Sequence, residues 1–345
     1  MHTPCPLYFF TGGSVSFYAS LQYSGGNYKV KKAERVALYG SGKAYWQRLF
    51  MDLKGSMWLY LMLLPGLVYF LVFKYLPMWG VVIAFENYSP FAGIFGSEWV
   101  GLKWFQYFFS NKMWTRYLTN TLILSGLNIL FYFPAPIILA LMLNEVRHLR
   151  YKKFMQTLLY VPHFISIVIV VSITYVIFGS DGIIYKLTAA LTGTEIKYLS
   201  DPNLFRGMII GQTIWKETGW GTIIFLAALT NVDTQLYEAA MVDGAGRWRR
   251  LWHITLPAIR STIVLMLVLR MGSVLDTGHE HLILMANAMN RSVSQTLDVF
   301  VYQQGIAAGQ YSYTTAIGLL KSIVSIILIV TSNKIAHALG EQGLY

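Results

Sequence analysis

Acidic residues are scarce in this sequence: 16 of 345 positions are Asp or Glu, and charged residues of both signs reach only 12%. Soluble globular domains carry about 25% charged residues, so the shortage argues against a soluble fold. There is one cysteine, Cys5, which excludes an internal disulfide and a cysteine cluster for metal. The N-terminus lacks a basic run ahead of an apolar core, so it reads as a poor signal peptide. Its short apolar pieces are broken by Gly12-Gly13 and Gly25-Gly26, and residues 1–28 read as an extension without stable structure. What the chain has in abundance is apolar and aromatic: 55% hydrophobic residues, mean hydropathy +0.48, 23 Tyr, 20 Phe and 10 Trp, with a net charge of +11. A nucleic-acid reader could be as basic but not as apolar. These proportions predict an all-α integral membrane protein, with cations gathered in cytoplasmic loops and aromatics at the interfaces.

A spanning helix needs about 20 mostly apolar residues, and six stretches qualify: 56–76, 118–143, 154–178, 206–230, 258–277 and 314–336. Residues 1–55 then form a cytoplasmic extension and 56–345 the transmembrane domain. Pro134 and Pro136 predict a kink in the second span, either a gate element or a static bend. Positive charges cluster in alternate loops. Lys29, Lys31, Lys32, Arg35, Lys43, Arg48 and Lys54, against Glu34 and Asp52, precede span 1. Arg147, Arg150, Lys152 and Lys153, against Glu145, lie between spans 2 and 3. Arg247, Arg249, Arg250 and Arg260 lie between spans 4 and 5. The other loops are mixed, with Glu86, Glu98, Asp181, Glu195, Asp201, Glu280 and Asp298. The positive-inside rule places both termini and the loop between spans 4 and 5 in the cytoplasm.

That loop holds the most informative pattern in the chain. Asp233 can cap a helix over Thr234 to Val242. Gly244 and Gly246 bracket Ala245 and permit the positive φ that ends a helix. Arg247 to Ile254 can form a second short helix, and Pro257 suits the first turn of span 5. The order is Glu238-Ala239-Ala240, three residues ending in Asp243, then Gly244 and Ala245, then Ile254-x-Leu256-Pro257. Read from physics alone, this is either a docking element or an amphipathic loop helix lying on lipid headgroups.

The same spacing, EAA-x3-G-x9-I-x-L-P, resembles the cytoplasmic signature of permease subunits in ABC importers. Tyr75-Leu76-Pro77-Met78-Trp79-Gly80, Ala84-Phe85, Trp99-Val100-Gly101-Leu102 and Tyr311-Ser312-Tyr313-x-x-Ala316-Ile317-Gly318-Leu319 resemble the carbohydrate importers among them, with the flavour of the oligo- and polysaccharide subgroup that includes alginate importers. The resemblance runs from about residue 56 to the C-terminus; residues 1–50 depart from it. It implies a multi-pass protein of the bacterial cytoplasmic membrane whose loop docks as a coupling helix into a separate ATPase. It also implies a second homologous permease, with a heterodimer favoured, two ATPase subunits that hold ATP and Mg, and an extracytoplasmic solute-binding protein. No cofactor and no nucleic acid are expected on this chain.

Lys216, Glu217, Arg270 and Lys321 fall inside apolar spans. A charge at the bilayer centre costs about 2.5–3.5 kcal/mol on insertion scales, so such groups face a cavity or a partner. Counted along the spans, all four lie roughly 10–15 Å below the outer surface. They form either a cation-rich ring along a solute path, suited to acidic sugars, or structural pairs, for example Glu217 with Arg270 or a lysine.

Two tempting motifs fail. Gly40-Ser41-Gly42-Lys43-Ala44 imitates a phosphate loop, but Ala37 and Ala44 stand where Gly and Ser or Thr are required. His279-Glu280-His281 imitates a zinc motif, but its second histidine would have to be at 283, which is Ile283; it reads as a loop histidine pair. His163 and His253 read as interfacial polar residues near span ends. The leading function is the transmembrane subunit of an ATP-driven saccharide importer, with an acidic, alginate-like solute; a neutral oligosaccharide is the alternative. A polytopic membrane enzyme lacks a nucleophile–base or carboxylate constellation at one depth, and a passive channel leaves the loop motif without a use.

Overall fold

The computed structural model describes residues 56–341, 343 and 344, and the backbone of four strands before them. Cys5, the glycine pairs at 12–13 and 25–26, the stretch Gly40–Ala44 and the charges Lys31, Lys32, Lys43, Arg48, Asp52 and Lys54 lie outside the described residues. The four strands, β1 (Pro6–Phe10), β2 (Ser16–Ser24), β3 (Asn27–Val30) and β4 (Glu34–Val36), pair antiparallel: β2 takes β1, β3 and β4 as partners. The expectation of an all-α chain with a structureless beginning is thus corrected: the protein is mostly helical with a small N-terminal sheet. The apolar pieces between the glycine pairs are short and rich in Tyr and Phe, which suits pleated strands better than a helix.

The chain divides into two compact units, Met1–Trp79 and Gly80–Tyr345. The first contains α1 (Met57–Phe70), a helix with no buried residue. It runs on through a π turn (Leu71–Tyr75) and into a 3-10 segment (Leu76–Phe85). The second contains α2 (Lys103–Ser110), α3 (Trp114–Leu127), α4 (Pro134–Glu145), α5 (Leu149–Tyr160), α6 (Ile167–Phe178), α7 (Ile183–Thr192) and α8 (Pro202–Thr230). It continues with α9 (Thr234–Val242), α10 (Arg247–Arg250), α11 (Leu256–Ala258), α12 (Arg260–Gly272), α13 (His279–Met285), α14 (Arg291–Ser294), α15 (Leu297–Val301) and α16 (Tyr311–Ala338).

Among the described residues, four helices are long and apolar enough to cross a membrane: Met57–Phe85, Trp114–Glu145, Ile167–Thr192 and Tyr311–Ala338. A fifth is the pair Arg247–Ala258 and Arg260–Gly272, bent by 57°. This differs from the six expected. The stretch 206–230 lies in α8, which at 1.5 Å per residue is about 43 Å long, but Lys216, Glu217 and its glycines and threonines leave it short of that apolarity. The stretch 154–178 is not one helix. Pro162 lacks the N–H that a continuing helix needs, a 3-10 turn follows (Val161–Phe164), and Ser166 accepts a hydrogen bond from the Ile169 N–H to start α6 afresh. Pro134 and Pro136 do not break the second stretch: the helix passes from α3 through a π turn (Asn128–Tyr132) into α4, with the prolines in its first turn.

Three cores hold the second unit together. Leu124, Val171, Phe205, Leu282 and Val299 join α3, α6, α8, α13 and α15. Ala140, Phe225, Leu229 and the fully buried Ile259 join α4 and α8 to the bend before α12. Phe108, Phe300, Tyr313 and Ile317 join α2, α15 and α16. Residues 277–310, between the fifth and last stretches, are held by polar bonds into α3. Asn120 donates to the carbonyls of Ser292 and Gln295, both at 2.9 Å, and the Leu297 N–H donates to Thr121 Oγ1 at 3.0 Å. Buried polar groups satisfied in this way cost little, whereas unpaired they would each cost about 1–3 kcal/mol.

Candidate functional site: a docking loop and four charges

The helix expected over Thr234–Val242 is α9, with the same bounds. Asp233 Oδ1 accepts from the Gln235 N–H at 2.9 Å and starts it. At its other end the Ala245 N–H reaches the Ala240 carbonyl at 2.8 Å and the Gly244 N–H the Met241 carbonyl at 3.1 Å. These two bonds form a Schellman turn, and Gly244 holds its left-handed position at φ 71°. A residue with a Cβ is strained there. Past Gly246, α10 runs into a π turn (Leu251–Thr255), which carries Ile254, and Tyr237 Oη meets Thr255 Oγ1 at 3.0 Å, tying the two short helices together. Pro257 differs from expectation. It lies in the three-residue α11, before the 57° bend, and not in the first turn of the spanning helix.

Glu238, Ala239, Asp243 and Gly244 are exposed, and Ala240 and Ala245 are half-buried. Around them stand bulky apolar side chains that the motif does not include: Val242 (89% exposed), Trp248 (75%), Trp252, Leu236 and Met241. The loop therefore offers a carboxylate, small residues and an apolar rim on one short double helix. His253 bonds the Arg249 carbonyl through Nδ1 at 2.9 Å, within the same loop.

Of the four charges expected inside the spans, three are held in ion pairs and Arg270 is not. Lys216 donates to Glu217 Oε1 at 2.7 Å and to the His163 carbonyl at 2.9 Å. Glu217 Oε2 meets His163 Nδ1 at 2.7 Å, and the His163 ring lies flat on Trp220, centroids 4.5 Å apart. His163 is thus a partner of Glu217, not a bystander at a span end. The turn at Val161–Phe164 brings it there, which no sequence spacing discloses. Gly219 permits this approach: a Cβ on it would stand 1.9 Å from the Leu159 carbonyl oxygen. Lys321 is held between Asp276, at 2.6 Å, and Asp298. Asp298 also accepts from the Thr277 N–H at 2.7 Å. The pairings cancel the charge of Lys216 and more than cancel that of Lys321.

Arg270 is different. Its guanidinium donates to the neutral Asn128 Oδ1 at 3.1 Å and sits 5.8 Å from the centre of the Tyr132 ring. No carboxylate pairs with it among the described residues. It lines two clefts, one with Ser125, Thr213 and Asp276, the other with Tyr132, Gly221 and Ser273. The π turn Asn128–Tyr132 supplies both of its neighbours.

The histidines of His279-Glu280-His281 lie on α13, not in a loop. His279 stacks on Tyr302, and His281 bonds Gln212, which donates to Thr174 Oγ1 at 2.6 Å. Burial, aided by the positive charge of Lys216, pushes His281 down to about 4, so it is a neutral packing residue near pH 7.

Comparison with known proteins adds four observations. The profile of the family described as "Binding-protein-dependent transport system inner membrane component" matches residues 132–339. Protein LplB of Bacillus subtilis (strain 168) is 60% identical over 294 residues, 85% of this chain and 92% of that protein. The polygalacturonan/rhamnogalacturonan transport system permease protein YteP of the same organism is 52% identical over 300 residues, 87% of this chain and 94% of that protein. A chain in the crystal structure of a bacterial alginate ABC transporter, in complex with alginate pentasaccharide-bound periplasmic protein, superposes with a TM-score of 0.78 at 36% identity. The match covers 86% of this chain and 100% of that one.

Proposed function

The chain belongs to the family of binding-protein-dependent transport system inner membrane components, and from that premise we propose that it is a transmembrane subunit of an ATP-driven importer of acidic oligo- or polysaccharides. Sugar transport is supported by two relatives, one a polygalacturonan/rhamnogalacturonan permease and one part of an alginate transporter. The acidic class rests on Arg270. It is a cation outside every ion pair of the described residues, in a cleft below the outer surface that Asp276, already bound to Lys321, also lines, and a guanidinium binds a carboxylate in a bidentate way. In a medium of intermediate dielectric such a contact contributes on the order of a few kcal/mol. Lys216 and Lys321, already paired, serve the path as polar hydrogen-bonding wall and as structure; Glu217 orients His163 and the stacked Trp220, whose faces suit sugar rings.

In this reading six spans, with α8 the fourth, form half of a central path, and a second homologous permease, preferably a different chain, supplies the other half. Both termini and the loop of Glu238 face the cytoplasm. That loop docks into one of two ATPase subunits, which hold ATP and Mg, while a solute-binding protein delivers the saccharide from outside. The chain itself carries no cofactor and performs no covalent chemistry. The capped, glycine-turned double helix with its exposed apolar rim supports the docking role of Glu238, Ala239, Ala240, Asp243, Gly244, Ala245, Ile254, Leu256 and Pro257.

The test is uptake by the complete complex in reconstituted vesicles, with matched acidic and neutral oligosaccharides. Uronate oligomers should be taken up in preference, and Arg270→Gln should lower the acidic-to-neutral ratio by about tenfold, the factor that 1.4 kcal/mol represents. A wild-type preference for neutral sugars, or an unchanged ratio in the variant, would return the reading to a neutral oligosaccharide.

A further inference from the structure

The C-terminal residues do not fray from the end of α16. The Glu341 N–H returns to the Ala336 carbonyl at 3.1 Å, and Gly340, at φ 78°, turns the chain back. The Leu344 N–H then reaches Oδ1 of the buried Asn333 at 2.7 Å. This folded tail meets the start of α12, just past the bend that follows the loop. Arg260, the first residue after the 57° bend, places Nε 2.8 Å from Glu341 Oε1 and donates from Nη2 to the Leu339 carbonyl at 3.3 Å. The Glu341 side chain is only 14% exposed in this contact.

The charges are arranged against local helix preference, which shows that the long-range contact decides them. A cation at the start of α12 is disfavoured by that helix's dipole, while the same cation at the end of α16 is favoured, because it meets the unpaired carbonyls there. Arg260 therefore serves α16 more than its own helix. The bend it adjoins, of 57°, lies between the loop and α12. Ile259 is fully buried at the vertex, and only the three-residue α11 separates it from the π turn. A push on the docking loop would be absorbed at this bend unless something fixed the angle.

We infer that Arg260 and Glu341 form a latch that locks α12 to α16 at the bend, so that movement of the docking loop turns both helices as one body. They are positioning residues for energy transfer and touch neither solute nor nucleotide. The inference rests on the transport reading above but not on the identity of the solute. It assigns a task to the last residues of the chain, far in sequence from the loop motif.

The test uses the complete complex in vesicles and measures solute moved per ATP hydrolysed, with the melting temperature of each variant alongside. Arg260→Gln and Glu341→Gln should each lower that ratio by about threefold, the factor expected for a partly buried ion pair, with ATP hydrolysis continuing and the melting temperature close to wild type. The charge-reversed double variant R260E/E341R should recover most of the ratio. An unchanged ratio in both single variants overturns the latch, as does a lowered ratio that the double variant does not recover. If a single variant fails to assemble, the double variant decides: wild-type coupling supports the latch and uncoupling rejects it. Uptake by the wild-type complex is the separate check on transport, and solute-stimulated ATP hydrolysis then reads the latch on its own.

Discussion

At the scale of single residues, the chain handles four half-buried charges in two ways. Lys321 has two carboxylates, so replacing it with Met leaves Asp276 and Asp298 facing each other without a cation. Removing one partner of a buried pair costs about 3–5 kcal/mol, and the open position of Asp276 (66% exposed) reduces this to about 2 kcal/mol. Lys321→Met should therefore lower the melting temperature and the amount of folded protein, with acidic and neutral uptake falling together. Arg270→Gln should do the reverse, sparing stability and changing selectivity, since Gln can still reach Asn128. His281 gives a third test. Its folded pKa, about 4, lies below the ordinary value near 6.5, so the unfolded chain takes up its proton first as pH falls. Its contribution to stability is complete above pH 6.5 and declines as pH drops toward 4. Thermal melts at pH 7.5 and 5 should show a larger loss for wild type than for His281→Asn, which cannot protonate; equal losses would mean that other groups control acid stability.

At the scale of elements, turns decide more than periodicity does. Gly244→Val has to force a β-branched residue into φ 71° and so disrupts the Schellman turn of α9. Solute-stimulated ATP hydrolysis by the assembled complex should fall several-fold while membrane insertion stays intact, and Glu238→Lys should act in the same direction by reversing the exposed charge. Two glycines of α8 form a matched pair. Gly211→Ala meets nothing within 4 Å and should be neutral or slightly stabilising, since Ala is favoured over Gly in a helix by about 1 kcal/mol. Gly219→Ala collides with the Leu159 carbonyl and should unfold the His163–Glu217 corner, which differential melting of the two variants would reveal. These elements also explain what could be read in advance. The first helix of the Glu238 loop was legible down to its bounds because its instructions are local: Asp233 as a cap, Gly244 as a stop, and fixed spacing between them; the second, expected over residues 247–254, leaves the α form at Arg250 for a π turn. The third apolar stretch was misjudged because hydropathy averages over Pro162 and Ser166, two residues that end one helix and begin another. The partners of Glu217 and Lys321 were illegible for a different reason. His163, Asp276 and Asp298 come from distant turns, and sequence distance carries no record of which turns meet.

At the scale of the whole molecule, the function proposed above makes the chain one part of a machine that draws its energy elsewhere. Purified alone, it should hydrolyse no ATP above background; sustained hydrolysis by the isolated chain would contradict the division of labour proposed above. A second property also belongs to the molecule as a whole. Among the described residues, four π turns interrupt its helices, at Leu71–Tyr75, Asn128–Tyr132, Leu251–Thr255 and Tyr302–Ala307. A π turn holds one residue more than an α turn, so each marks a point where the chain can lose a residue and heal. Deleting Ile129 should convert its turn to ordinary helix and keep both flanks in phase, whereas deleting Ile123, inside α3, must rotate one flank by about 100° and turn buried faces toward lipid. Expression and membrane insertion of the two deletions would separate these outcomes. Length variation among proteins of this fold is then expected to be a matter of single residues gained or lost at these four points, with the spans between them fixed in register.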